Sequence, residues 1–263
     1  MDTGTPIKSE AYLQETIQRL ESTVKELQKK NQELESFAYV ASHDLREPLR
    51  KIHIFSERIL ETEAANFSPL AADHFRRILS ATERMKKLID ALLNYSRTNT
   101  DEKIFVKQDL NQLLEEVKQD LQESIIEKNA TLLSDELPTL KLIPHQFLQL
   151  LENLIGNSLK YRKADVAPVI KIGAKKIHRE EGEEDNRYWQ LTVSDNGIGF
   201  EEEYKERIFE LFQRLHGKHE YEGTGIGLSI CKKIVENHNG TIYAESALGE
   251  GCTITILLPI GDE

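Results

Sequence analysis

The feature that most constrains this chain is a row of apolar residues near its start, spaced by alternating steps of four and three. Such a row lies along one side of an α-helix as a heptad seam. β-Branched residues stand at a, leucines at d and one asparagine at a third a position, a combination that favours a parallel two-stranded coiled coil. We therefore expect a homodimer, against the alternative of one amphipathic helix packed on its own domain. The row consists of Leu13, Ile17, Leu20, Val24, Leu27, Asn31 and Leu34.

The same register continues to Ile59, which predicts one long helix that passes from the coiled coil into a bundle. With Leu45 at an a position, His43 falls at f, farthest from the partner helix, so its side chain should face solvent. The carboxylate of Asp44 could hold one imidazole nitrogen protonated and leave the other free as a nucleophile. Pro48 is expected to kink the helix one turn beyond His43. A histidine beside an aspartate is also common surface decoration, so the pair alone assigns no chemistry.

A second helix is predicted after the pattern breaks at Asn66, because Ser68 suits an N-cap and Pro69 suits the first helical position. The heptad steps resume between Phe75 and Leu92, which completes an antiparallel helical hairpin. Hairpins from two chains would form a dimeric four-helix bundle.

Four segments follow from these patterns. Residues 1–36 are predicted to be a tail and the coiled-coil helix, and residues 37–97 the helical hairpin. The polar, aperiodic stretch from Ser96 predicts a linker at 98–103. Strand-like and helix-like segments alternate over 104–263, which indicates an α+β sandwich domain. It should open with a strand at 104–107 and a helix at 109–128.

Charge and hydropathy narrow the function classes. The net charge of −11 repels a phosphate backbone, so we expect no nucleic-acid partner. The sequence has no run of about 18 apolar residues, which would predict a membrane segment, and no recognisable signal peptide. We therefore expect a cytoplasmic location. Cys231 and Cys252 have neither metal spacing nor a disulfide-rich context and are predicted to be small buried hydrophobes.

One face of a helix predicted at 144–163 carries polar residues at steps of three and four. Asparagine carbonyls are hard oxygen donors that suit Mg²⁺, and a lysine adds a cation beside them. A solvated face that ends in a lysine is the alternative. The polar face consists of Gln149, Asn153, Asn157, Lys160 and Tyr161, and the buried side of Phe147, Leu151, Leu154 and Ser158.

Asp195 ends a predicted strand in which Trp189, Leu191 and Val193 point inward, so its carboxylate should also point inward and require a donor. It could accept a hydrogen bond from the exocyclic amine of adenine, with Gly197 and Gly199 letting the base approach the backbone. A simple hairpin turn is the alternative, because Asn-Gly is a strong turn signal.

Glycines precede another predicted helix, in the run Gly223-Thr-Gly-Ile-Gly-Leu-Ser. Bare amides and the positive end of the helix dipole suit phosphates there, although the spacing is neither a Walker loop nor a dinucleotide fingerprint. The charged stretch 201–222 is predicted to be a mobile lid. Within it, Arg214 and Lys218 could reach a γ-phosphate.

Five segments occur in the order of a known motif set, and through them the chain resembles the sensor histidine kinases of two-component signalling, from Glu10 to Pro259. Phe37-Ala-Tyr-Val-Ala-Ser-His43-Asp-Leu-Arg-Glu-Pro48-Leu-Arg resembles the H box of phytochrome-like and related kinases. The others are Asn153-Leu-Ile-Gly-Asn157-Ser-Leu-Lys160-Tyr161 for the N box, Asp195-Asn-Gly-Ile-Gly199 for G1, Phe209-Glu-Leu-Phe212-Gln-Arg214 for F and Gly223-Thr-Gly-Ile-Gly227-Leu for G2.

The resemblance implies a dimerisation and histidine phosphotransfer domain followed by a GHKL-type ATP-binding domain. His43 would accept the phosphoryl group with Asp44 as general base, Asn157 would ligate Mg²⁺, and Asp195 would recognise adenine. The implied cofactors are ATP and Mg²⁺. The implied partners are a second copy, the receiver domain of a response regulator and an upstream sensor domain absent from this chain. The expected cofactor-binding residues are Asn153, Asn157, Lys160, Tyr161, Asp195, Gly197, Gly199, Arg214, Gly223, Gly225, Gly227 and Leu228.

Two departures bear on rival functions. Many bifunctional members have Thr or Asn four residues after the histidine, whereas Glu47 stands here, which puts phosphatase activity in doubt. Gyrase-like ATPases have a water-activating glutamate four residues before the metal asparagine, where this chain has Asn153. Glu152 is rotated by about 100° around the helix and should not substitute for it. A GHKL-type ATPase and a non-catalytic ATP-binding scaffold remain the alternatives.

Overall fold

The computed structural model describes residues 6–63, 66–100, 104–181, 184–215 and 224–260. The chain divides into two compact units, Met1–Ser96 and Arg97–Glu263. The first unit is helical, and the second combines helices with two sheets.

Two long helices form the first unit. Helix α1 spans Pro6–Thr62 and continues through Pro48, as the unbroken register predicts. Helix α2 spans Pro69–Thr100. Ser68 caps α2, because its hydroxyl oxygen accepts the backbone N–H of Ala71 at 3.2 Å. The aperiodic stretch from Ser96 is helical as far as Thr100, since it contains no glycine or proline to end the helix.

Contacts between the two helices identify an antiparallel hairpin. Arg46 pairs with Asp90, and the ring of His53 lies 3.0 Å from the hydroxyl of Thr82. The hairpin closes near its turn, where the rings of Phe67 and Phe75 stack with centroids 5.0 Å apart. Each step forward along α1 therefore meets a step backward along α2, so the predicted hairpin is confirmed.

The second unit contains a five-stranded mixed sheet in the order β2-β4-β5-β7-β6 and a two-stranded sheet β1-β3. Strands β2 and β4 pair in parallel, and the other described pairs are antiparallel. The elements are β1 Val106–Asp109, α3 Leu110–Asp120, α4 Gln122–Glu127, β2 Thr131–Ser134, β3 Thr139–Leu142, α5 Pro144–Lys160, β4 Val169–Glu181, β5 Glu184–Asp195, the 3-10 turns Glu202–Tyr204 and Arg207–Phe209, α6 Gly227–Asn237, β6 Thr241–Ala247 and β7 Gly251–Pro259.

The core of this unit lies between the helices and the five-stranded sheet. Helix α5 packs between α3 and α6 and also contacts β5, while α6 contacts β6. Phe147, Ile155 and Ile234 on the helices are fully buried, and Val193 and Ile256 on the strands are buried too. The predicted α+β class is confirmed.

Several predicted boundaries are wrong. The helix expected over 109–128 is interrupted at Leu121, where no glycine or proline marks the break. The first strand begins at Val106 rather than at 104, and Asp109 at its end caps α3 by accepting the N–H of Asn111. Helix α5 ends at Lys160 rather than at 163, and the carbonyl of Tyr161, just beyond its end, accepts the N–H of Ile198.

Candidate functional site

Asp195 lies where the sheet faces α5. It is opposite Cys252 in the β5–β7 register, so both side chains lie on the same face. Three donors reach its carboxylate. The backbone N–H groups of Gly197 and Cys252 reach Oδ1 at 2.9 and 3.3 Å. The hydroxyl of Ser158 donates to Oδ2 at 2.9 Å. The predicted inward orientation of Asp195 is therefore confirmed, and its donors come from the protein.

Burial raises the pKa of Asp195 above its ordinary value, although the hydrogen bonds from Gly197, Ser158 and Cys252 oppose that shift by stabilising the ionised form. Burial, followed by the neighbouring charge of Asp195, raises the pKa of Cys252 to about 12, so its thiol is neutral near pH 7. Cys231 is fully buried as predicted, whereas Cys252 is only half-buried and lines a cavity.

Two cavities meet along α5. The Asp195 cavity brings together Asn157, Tyr161, Gly199, Arg214 and Leu228 with Asp195, Ser158 and Cys252. Most of its remaining wall is apolar and includes Leu154, Ile198, Phe200 and Ile254. The Gly225 cavity brings together Asn153, Asn157, Lys160, Tyr161, Gly225, Gly227 and Leu228 with Glu152 and Thr224. Asn157, Tyr161 and Leu228 line both, so one ligand could extend from one cavity into the other.

The polar face of α5 is organised by short contacts. The amine of Lys160 bonds the hydroxyl of Tyr161 at 2.9 Å and lies 4.4 Å from its ring centroid. The amide nitrogen of Asn153 donates to the carbonyl of Gln149 at 2.8 Å. A Cβ on Gly227 would lie 2.8 Å from the amide oxygen of Asn153, so this oxygen faces the start of α6.

Glycines permit two close approaches around the cavities. Gly225 has a φ of +74°, and a Cβ there would lie 2.7 Å from the carbonyl oxygen of Gln213. Gly199 has a φ of +61° and would place a Cβ on the carbonyl of Ala247. Neither position admits a side chain without strain. Gly197 lines neither cavity and instead packs on the carbonyl of Tyr161.

The predicted helix after the glycine run begins at Gly227 and ends at Asn237. Its first amides therefore face the Gly225 cavity, as expected of an anion site at a helix N-terminus. Gly223 and Lys218 lie outside the described residues. Of the aromatic residues in the predicted lid, Phe209 is buried, whereas Phe212 is exposed and has a φ of +64°.

His43 and Asp44 form an exposed pair on α1. Their side chains are 72% and 74% exposed, and His43 Nδ1 lies 3.2 Å from Asp44 Oδ1. An ionised carboxylate only accepts hydrogen bonds, so this contact favours the neutral tautomer with its proton on Nδ1, in which Nε2 has the lone pair. One turn further, Arg50 binds Glu47 through two 3.0 Å hydrogen bonds and Lys51 approaches the same carboxylate at 3.4 Å.

Sequence reasoning misses two members of the site. The periodicity of α5 assigns Ser158 to the apolar side, but this residue is buried because its hydroxyl reaches Asp195. Cys252 is predicted to be a simple core residue. The strand pairing that brings it opposite Asp195 joins segments 57 residues apart, and no local spacing signals that.

Comparison with known families agrees with this geometry. Residues 143–262 match the family described as histidine kinase-, DNA gyrase B- and HSP90-like ATPase, and residues 33–101 match the His Kinase A (phospho-acceptor) domain. The chain thus contains a phospho-acceptor domain followed by an ATPase-type domain. The chain belongs to the sensor histidine kinases.

Curated relatives include cyanobacterial phytochrome A of Nostoc sp., 41% identical over 90% of this chain and 30% of the relative, and phytochrome-like protein Cph1 of Synechocystis sp., 34% identical over 93% and 32%. The chain thus spans about a third of the length of each of these two relatives. Full-length ShkA, solved with AMPPNP, has the same fold at a TM-score of 0.62 and 21% identity, covering 86% of this chain and 46% of that one. Across the described residues, no helix has the length and apolar character needed to span a membrane.

Proposed function

We propose that this chain is the kinase core of a sensor histidine kinase, which transfers the γ-phosphoryl of MgATP to His43 and then to an aspartate of a response regulator. The observation that carries the proposal is that one chain contains both an exposed histidine, hydrogen-bonded to Asp44, and a cavity lined by Asp195. The matched phospho-acceptor and ATPase-type domains support the same reaction class.

His43 is suited to attack phosphorus. The Nε2 lone pair forms the N–P bond while the bond from the γ-phosphorus to its bridging oxygen breaks and ADP leaves. The ring then gains positive charge, which Asp44 stabilises through Nδ1 at 3.2 Å, acting as acceptor if that proton departs. Because both side chains are exposed, ATP and then a receiver domain can reach the same ring.

The second unit is suited to hold the nucleotide. We assign the adenine to Asp195 and the apolar wall around it, and the phosphates to the amides at the start of α6 and to Lys160. The donor set fits Mg²⁺, because Asn157 presents an amide to both cavities and a hard cation accepts such an oxygen beside phosphate oxygens. When bound, Mg²⁺ would neutralise charge on the β- and γ-phosphates. Arg214, which also lines the Asp195 cavity, would add a further cation.

Glu152 is the residue that bears on the rival function, ATP hydrolysis. It lines the Gly225 cavity, where a carboxylate could activate water. Burial, followed by the neighbouring carboxylate of Asp120, raises its pKa. However, Glu152 is one residue away from the position where gyrase-like ATPases have their glutamate, which is about 100° around the helix. No observation favours hydrolysis or a non-catalytic scaffold over phosphoryl transfer.

The remaining partners are also proposals. A second copy would cover the heptad stripe of α1, and an upstream sensor would act through the same helix. The domain boundaries after residues 36, 97 and 103, and the cytoplasmic location, stay predictions.

Labelling with γ-phosphate-labelled ATP tests the function. A kinase gives acid-labile, base-stable label on the protein, whereas an ATPase releases free phosphate and a scaffold does neither. The expected result is label on His43, and free phosphate without protein label would contradict the proposal.

A further inference from the structure

The carboxylate of Asp195 has one acceptor position left, and counting the donors on each oxygen shows where it is. A carboxylate offers about four lone-pair positions, two on each oxygen. Among the described residues, Oδ1 receives the N–H groups of Gly197 and Cys252, whereas Oδ2 receives only the hydroxyl of Ser158. The open position is therefore on Oδ2, the oxygen that Ser158 holds.

The hydroxyl of Ser158 has a choice of acceptors. It lies 2.9 Å from Asp195 Oδ2 and 3.2 Å from the carbonyl of Leu154 one turn earlier in α5. A hydroxyl donates one proton, and the shorter contact to a charged oxygen is the stronger hydrogen bond. Ser158 therefore ties α5 to the end of β5 through the carboxylate.

This tie controls the direction of the open position. The torsion that rotates a carboxylate is broad, so the two bonds to Oδ1 alone leave the plane of the group loosely defined. The third bond, at Oδ2, fixes that plane. Because Asp195 and Ser158 line the same cavity, a fixed plane aims the open lone pair at a ligand there.

We propose that Ser158 is a positioning residue for base selectivity, which aims Asp195 Oδ2 at the exocyclic amine of adenine. This rests on the proposed function, in which the Asp195 cavity holds the base of ATP. The mechanism predicts that loss of the hydroxyl weakens only those ligands that carry the amine.

The test compares ATP with purine riboside triphosphate, which lacks that amine, on the same protein. Unmodified protein should bind ATP more tightly than the analogue. Ser158→Ala should weaken ATP roughly fivefold, the equivalent of one net hydrogen bond, and leave the analogue within about twofold. In autophosphorylation, KM for ATP should rise by a similar factor with kcat little changed. The ratio of the two affinities is internal to each protein, so it is insensitive to a partial loss of folded material.

Ser229→Ala is the matched control. Ser229 is also a buried helical serine, and its hydroxyl donates to the carbonyl of Ile226 at 2.7 Å. It lines neither cavity, so its variant should keep the ratio of the unmodified protein. An unchanged ratio in Ser158→Ala, or equal weakening of both nucleotides, would overturn the positioning role and leave the kinase assignment intact. Failure of the unmodified protein to bind either nucleotide would instead refute the proposed function.

Discussion

The two units differ in whether their apolar side chains are buried within a single chain. In the ATP-binding unit, Phe147, Ile155 and Ile234 are fully buried between helices and sheet. In the helical unit, Leu20 and Leu27 on the heptad stripe of α1 are 60% and 61% exposed. A contiguous exposed apolar stripe marks a contact surface. The second unit therefore contains its own core, whereas the first requires another surface to cover it.

The same contrast appears in the chemistry. Within the described part of the chain, His43 is exposed and bonds its neighbour Asp44, whereas Asp195 receives three hydrogen bonds from three different segments. This difference fits the proposed roles, because a phosphoryl acceptor that meets both a donor and a receiver has to stay accessible. A residue that recognises one ligand gains from being fixed.

The sharpest test of this contrast is His43→Gln, which should abolish self-phosphorylation because the only proposed acceptor nitrogen is lost. ATP affinity should stay within a few-fold, since nucleotide and acceptor belong to different units. The measurement is acid-labile label together with nucleotide titration. His74→Gln is the control, because His74 is an exposed histidine on α2. Persistent label in His43→Gln would contradict the assignment.

The incompleteness of the helical unit predicts a large effect of Leu20→Glu. Burying a carboxylate in the seam costs several kcal/mol, so the dimer dissociation constant should rise by roughly 100-fold or more. Gln18→Glu adds the same charge at the b position of the heptad and should leave the dimer intact. Sedimentation measures both, and ATP affinity should be unchanged. A Leu20→Glu protein that stays dimeric would assign the exposed stripe to another partner.

In the ATP-binding unit, Asp195→Asn should weaken ATP by roughly 10- to 100-fold, since it replaces a charged acceptor by an amide that can turn a donor towards the adenine amine. GTP, which has a carbonyl at that position, should lose less. Asp165→Asn, at an exposed position of the same unit, is the control. If the unmodified protein binds ATP and GTP equally, Asp195 does not recognise adenine.

A smaller expected effect is the contribution of Asp195 to the pH dependence of stability. Burial raises its pKa above 3.8, so the folded state binds the proton more tightly than the unfolded state. Its contribution to the free energy of unfolding is therefore present at low pH and is lost as pH rises from the unfolded pKa through the folded one. Asp195→Asn stays neutral, so without nucleotide its stability relative to the unmodified protein should increase across that window. Denaturant melts at a series of pH values measure the difference, and a constant difference would contradict the sign.

The sequence predicts the architecture well where periodicity carries the information. The steps of four and three run unbroken through Pro48, and α1 is one helix. Alternation in β5 correctly orients Asp195. The break at Leu121 escapes prediction, because no glycine or proline accompanies it.

The site is harder to predict where it depends on pairing between distant segments. Ser158 and Asp195 are 37 residues apart, and Asp195 and Cys252 are 57 apart. Their meeting depends on sheet order and on the packing of α5, neither of which is written into a local motif. The motifs identify which segments form the cavities, and the tertiary fold decides which side chains hold each other there.

The last prediction concerns Asn31, the polar residue at an a position of the heptad row. Two asparagines that face each other across a parallel dimer can hydrogen-bond, whereas in another register each would lie against leucine, at a cost of about 1–3 kcal/mol per unsatisfied amide. Asn31 should therefore specify alignment more than stability.

Alignment matters because α1 continues from the seam to His43, so a shift of register would rotate the acceptor. We expect Asn31→Leu to raise the melting temperature by a few degrees, broaden the oligomer distribution in sedimentation and change the rate of autophosphorylation. Gln32→Leu replaces another side-chain amide by leucine at the neighbouring b position. It is the matched control and should do none of these, because b positions lie outside the seam. If Asn31→Leu remains a pure dimer with an unchanged rate, Asn31 does not set the register. The position of His43 must then be controlled by contacts closer to it.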